Sequence, residues 1–112
     1  MEPIEILMSL ETSKERLDKL TRELATVSKE RCELERKCNK ENEIQIEKAR
    51  AEKIQATLIK EVAKSRMADL LFELRILEVK ETYFLNLLRN ERSQNEILRT
   101  MLSYKKEEMK DL

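Results

Sequence analysis

The sequence has no glycine, no tryptophan and no histidine, one proline at position 3, and only 4% aromatic residues. Without glycine there is no glycine-rich loop to cradle a phosphate, since that loop needs backbone with no Cβ in the way. Without histidine, the commonest general base and the commonest metal ligand are missing. Cys32 and Cys38 are the two cysteines. They lie well round a helix from each other, so they neither close an internal bridge nor form a zinc site. Carboxylates are plentiful, but a solvated helix face accounts for each, and no cleft separates the proton affinities of any pair. The expectation is a protein that is not an enzyme and takes no cofactor and no metal.

Long apolar runs are also missing. No aliphatic or aromatic run is longer than the three residues of Leu70-Leu71-Phe72, far short of a membrane span, and Glu2 and Glu5 interrupt the stretch where a signal peptide would be apolar. With two unbridged cysteines, this leads to an expected location inside the cell, in the cytoplasm or nucleus. Nor is there an excess of one charge: 23 lysines and arginines are interleaved with 23 aspartates and glutamates. No basic face follows a phosphate backbone, which argues against nucleic acid as a partner.

What remains is 41% charged and 40% hydrophobic residues, rich in strong helix formers. A chain so charged and so poor in aromatics could stay disordered, but its apolar residues recur in periodic order. The fold class expected is all-α, a long continuous helix forming a coiled coil. Pro3 suits the first turn of a helix, and Glu2 and Glu5 suit the positive end of its dipole. Thr12 and Glu15 also spell a capping box, but nothing separates them from Leu10, so the start is placed at Pro3.

From residue 6 the apolar positions step by four and three. Leu10, Leu17, Leu24, Arg31 and Cys38 fall at a; Ile6, Ser13, Leu20, Val27 and Leu34 fall at d. This narrow stripe marks a coiled-coil seam rather than the broader face of a globular helix. Residues 3–38 are read as an N-terminal heptad coiled coil. Over 39–66 the register is lost, and Ala51, Ile54, Leu58 and Val62 follow an eleven-residue repeat that unwinds a supercoil. Residues 67–112 resume the heptad, with Met67, Leu74, Glu81, Leu88, Asn95, Leu102 and Met109 at a. Leu70, Leu77, Phe84, Glu91, Leu98, Lys105 and Leu112 are at d.

Because the chain lacks glycine and proline beyond Pro3, the preferred reading is one helix from Pro3 to Lys110, spanning about 160 Å at 1.5 Å per residue. The alternatives are a hinge or loop at Cys38 to Glu43, or a compact three-helix bundle with turns near 39–43 and 64–66. In a parallel in-register dimer, Cys38 would meet its own copy within disulfide reach and Cys32 would not.

The C-terminal segment carries a second apolar track that its first seam does not use: Phe72, Ile76, Val79, Tyr83, Leu87, Ile97, Met101 and Tyr104. A two-stranded coiled coil would leave these residues in water, forgoing roughly 1.5 to 3 kcal/mol per large side chain. They are the candidate partner-docking residues, covered by a further helix in a homo-oligomeric bundle or by a different protein. A parallel homodimer would oppose Glu30 to Glu35 and Glu73 to Glu78, and would press Arg31 and Glu81 against their own copies. The pattern leans to a heteromeric or antiparallel partner. The expected function is that of a structural or scaffolding coiled-coil subunit, of the cytoskeletal, centrosomal, kinetochore or meiotic kind. The alternative is a trafficking or signalling adaptor whose residues 67–104 dock a regulated partner helix.

Overall fold

The structure, a computed structural model, describes residues 1–110. Leu112, placed at a d position above, lies outside the described residues. The order of elements is α1 (Pro3–Ala51), α2 (Ile59–Arg66) and α3 (Ala68–Lys110). The all-α class and the long helices follow from the sequence: α1 has 49 residues and α3 has 43. α1 begins at Pro3, and the Ile6 amide donates to the Glu2 carbonyl at 3.1 Å. Thr12 is inside the helix and its hydroxyl donates back to the Met8 carbonyl at 3.1 Å, so it caps nothing.

The single helix from Pro3 to Lys110 is corrected, because the chain leaves the helix after Ala51. The hinge considered at Cys38 to Glu43 is corrected as well, since α1 runs through it unbroken. Of the residues read as an eleven-residue helical repeat, Ile54 and Leu58 stand in the turn and only Val62 re-enters a helix. The stop is made by backbone hydrogen bonding. The Ile54 amide donates to the Ala49 carbonyl at 3.2 Å and the Lys53 amide to the Arg50 carbonyl at 3.0 Å. These are the paired bonds of a Schellman motif, and Lys53 holds the left-handed position it requires, with φ 62°. Glycine usually fills that place; here a lysine does, which is why composition gave no warning.

α2 and α3 are parted only at Met67, whose amide donates to the Lys64 carbonyl at 3.1 Å while its side chain is buried. The Met67 carbonyl then accepts from the Leu71 amide at 2.9 Å, which restarts the helix.

The chain divides into two compact units. The end unit combines Met1–Ala25 with Thr82–Leu112, and the turn unit is Thr26–Glu81. Each is a pair of antiparallel helical stretches. In the end unit Ser13 meets Asn95 and Arg16 meets Glu91, so partners retreat along α3 as one advances along α1. In the turn unit the successive partners of Arg31, Cys38 and Glu52 are Glu81, Leu70 and Arg66.

Candidate interaction faces

The inward face is the heptad seam. Every a and d position from Ile6 to Cys38 is buried or half-buried, as is every one from Met67 to Lys105. In the end unit, Leu10, Leu17, Leu20 and Leu24 are half-buried on α1, and Leu98 and Leu102 are half-buried on α3. Phe84 is half-buried and Leu88 and Asn95 are buried in the same unit. In the turn unit, Val27, Cys38 and Met67 are buried, with Leu34, Leu70, Leu74 and Leu77 half-buried. Within each unit the stretch supplied by α1 is therefore covered by another part of the same chain. Among the described residues the seam departs from its forecast only at Met109, which is exposed.

The polar residues that would suit a parallel dimer badly are matched by this arrangement. Arg31 Nε donates to Glu81 Oε2 at 2.8 Å across the turn unit, and a second Arg31 nitrogen reaches Glu35 at 2.7 Å. The hydrogen bond from Arg31, supported by one from Ser28, holds the Glu81 carboxyl below the usual carboxylate range. In the end unit, Asn95 Nδ2 donates to the Ser13 hydroxyl at 3.2 Å, and both residues are buried. Among the described residues no buried side-chain nitrogen or oxygen lacks a hydrogen-bond partner. A buried polar pair in a helical seam costs stability in any register that separates its members, so such pairs fix alignment.

Past Cys38 the seam continues on residues that the apolar pattern missed. Glu41 and Gln45 are half-buried and hydrogen-bonded to each other at 2.9 Å, and Ala49 is fully buried. The inward positions Cys38, Glu41, Gln45 and Ala49 step by three, four and four, and Lys48, the next heptad d position, is exposed, so the register does shift by one residue over this stretch. Arg66 binds Glu52 beside the turn and lowers the affinity of that carboxyl for protons. The Cys38 thiol is pushed up by burial, and next by the nearby charge of Glu73. Its sulfur sits 3.9 Å from the Leu70 carbonyl across the unit. Cys32 is exposed.

The outward face carries the second track. In the turn unit Phe72, Ile76 and Val79 are 66%, 47% and 58% exposed. In the end unit Tyr83, Ile97 and Tyr104 are exposed, while Leu87 and Met101 are half-buried. The Tyr83 ring stands edge-on to Phe84, with centroids 5.6 Å apart. The end unit also has an apolar surface that the heptad reading passed over. Ile4, Leu7 and Met8 are exposed and line an open groove of about 650 Å³ with Leu10 and Leu17, edged by Lys14 and Arg99. Their three-and-four spacing was the available signal, obscured because Ile6 and Leu10 alone satisfy the seam.

Among the described residues, no helix is long and apolar enough to cross a membrane, and no group of three or more histidine, cysteine, aspartate or glutamate side chains is placed to hold a metal. Comparison with known proteins finds no matching family model, no similar curated protein and no similar solved structure.

Proposed function

We propose that the chain is a structural or scaffolding module for protein assembly, in which the heptad seams fold the chain and the outward face of α3 binds other helices. The observation that carries this reading is the exposure of Phe72, Ile76 and Val79 on the face opposite the seam. They repeat at the spacing of a helix-binding stripe. Among the described residues, the exposed large apolar side chains outnumber the buried apolar ones, so much of the apolar surface is left for another molecule to cover. The mechanism is positional. Two long helices present the stripe on a fixed backbone, and association buries it with no chemical step.

The experiment is the double substitution Ile76→Glu and Tyr83→Glu, which leaves every a and d residue in place and hardly changes helix propensity. A photocrosslinker placed at Val79 should capture a protein chain in cells, either a second copy or a different protein. The double variant should lose that product while its helicity by circular dichroism stays at the parent's level. An unchanged crosslinking pattern in the double variant, or no crosslinked chain from the parent, would sink the reading.

A further inference from the structure

We propose that the outward face of α3 in the turn unit binds the same face of a second copy of this chain, with the two copies of α3 antiparallel. This rests on the reading of that face as a binding face and names its occupant. The argument is charge self-complementarity. Phe72, Ile76 and Val79 form the apolar centre, Glu73 and Lys80 lie on one edge of it two turns apart, and Arg75 lies on the other edge. Arg75 is satisfied by Glu78 on its own helix at 3.4 Å, whereas neither Glu73 nor Lys80 takes part in an ion pair among the described residues.

A two-fold axis passing between Ile76 and Val79 sets Ile76 of one copy against Val79 of the other. In an antiparallel helix pair, like edges meet. Glu73 of each copy therefore faces Lys80 of the other, giving two symmetric ion pairs around one apolar centre. The charges also reject the neighbouring arrangements. A slip of one heptad in one direction opposes Glu73 to Glu73, and in the other direction Lys80 to Lys80. A parallel pairing brings Arg75 against Lys80. The self-complementary register is thus specified by repulsion in the others as well as by its own attraction. Three apolar side chains per copy make a contact well below the ~800 Å² that each partner contributes to a standard interface, so the dimer forms at micromolar rather than nanomolar concentration.

The test is sedimentation equilibrium of the full chain over a concentration series, with the parent, Glu73→Lys, Lys80→Glu, and an equimolar mixture of the two variants. The parent should dimerise, and each single reversal should weaken dimerisation by about tenfold or more by placing like charges together. The mixture should recover to within about threefold of the parent, because a Glu73→Lys copy then opposes a Lys80→Glu copy with every pair restored. Single variants that dimerise as the parent does, or a mixture no tighter than its components, would overturn the proposal. So would a parent that stays monomeric throughout. If that monomeric parent still yields a crosslink from Val79 to a different protein, the second copy is excluded and the binding face itself survives.

Discussion

The end unit buries Ile6 and Leu88, large aliphatic side chains, beside the neutral pair of Ser13 and Asn95, whereas the turn unit adds to its buried Val27 and Met67 three small residues, Ala49, Ala63 and Cys38, and sets charged pairs at its margin. Helix separation depends on the side chains at the contact, so fully buried alanines on α1 and α2 let the two approach closely where the chain reverses. Large side chains there would hold the helices too far apart for the short turn. Away from the turn that constraint is absent, and bulk can fill the interior. The contrast therefore lies at particular positions: Leu88 in the end unit is sensitive to lost volume, Ala49 and Ala63 beside the turn to added volume, and the polar pairs are neutral in the first case and charged in the second.

The largest effect expected comes from testing volume. Leu88→Ala should cost about 2 to 5 kcal/mol, the transfer of a leucine plus the cavity it leaves. The opposite change in the turn unit, Ala63→Leu, should cost about 1 to 3 kcal/mol through overpacking. Urea unfolding followed by circular dichroism measures both. A turn unit that accepts leucine at position 63 without loss is not closely packed, and the contrast between the units would then lie only in their polar pairs.

Next in size is the neutral pair. Asn95→Ala removes the donor to the buried Ser13 hydroxyl and should cost about 1 to 3 kcal/mol, independent of salt and of pH across the neutral range. The turn unit should behave differently. The carboxyl of Glu81 has its proton affinity lowered in the folded chain, chiefly by its hydrogen bond from Arg31. A group whose folded pKa is depressed adds stability above its unfolded pKa, about 4.3 for glutamate, and loses it as pH falls through the folded value. Thermal melts should therefore place Glu81→Gln below the parent at pH 7, and the two should converge as pH falls below about 4. Asn95→Ala should keep its deficit over the same range. A Glu81→Gln deficit that does not shrink in acid would show that the residue acts through packing and not through charge.

Much of this was legible in the sequence where a residue's role depends on its own type and spacing. The seams from Ile6 to Cys38 and from Met67 to Lys105 follow from three-and-four periodicity, and so does the outward exposure of Phe72, Ile76, Val79, Tyr83, Ile97 and Tyr104. The reversal was not, because it is written in backbone hydrogen bonds that end at a lysine and not at a glycine. A second signal lies in the polar interruptions of the two seams. Arg31 and Glu81 stand nearly equidistant from Gln55, as do Ser13 and Asn95, so the awkward residues of one seam are mirrored by their complements in the other. Periodicity treats each seam separately; only comparing their polar interruptions reveals that they belong together. Glu41 and Gln45 escaped for the converse reason, since their inward placement depends on α1 continuing and not on their own chemistry.

The smallest effect expected concerns the turn itself. Lys53 has φ 62°, where its Cβ crowds the following carbonyl at a cost of about 1 to 2 kcal/mol that glycine does not incur. Glycine at this position gains most of that and gives some back, because the unfolded chain becomes more flexible. Lys53→Gly should therefore stabilise the chain by about 0.5 to 1 kcal/mol, and Lys53→Val, branched at Cβ, should destabilise it by a similar or larger amount. Amide exchange distinguishes this from a general effect. The amides of Lys53 and Ile54, bonded to the Arg50 and Ala49 carbonyls, should exchange more slowly in the glycine variant through local opening of the turn. If the glycine variant is less stable than the parent, the left-handed lysine is not the strained element of the turn, and the reversal must be held by the buried contacts of Ala49 and Ala63 on either side.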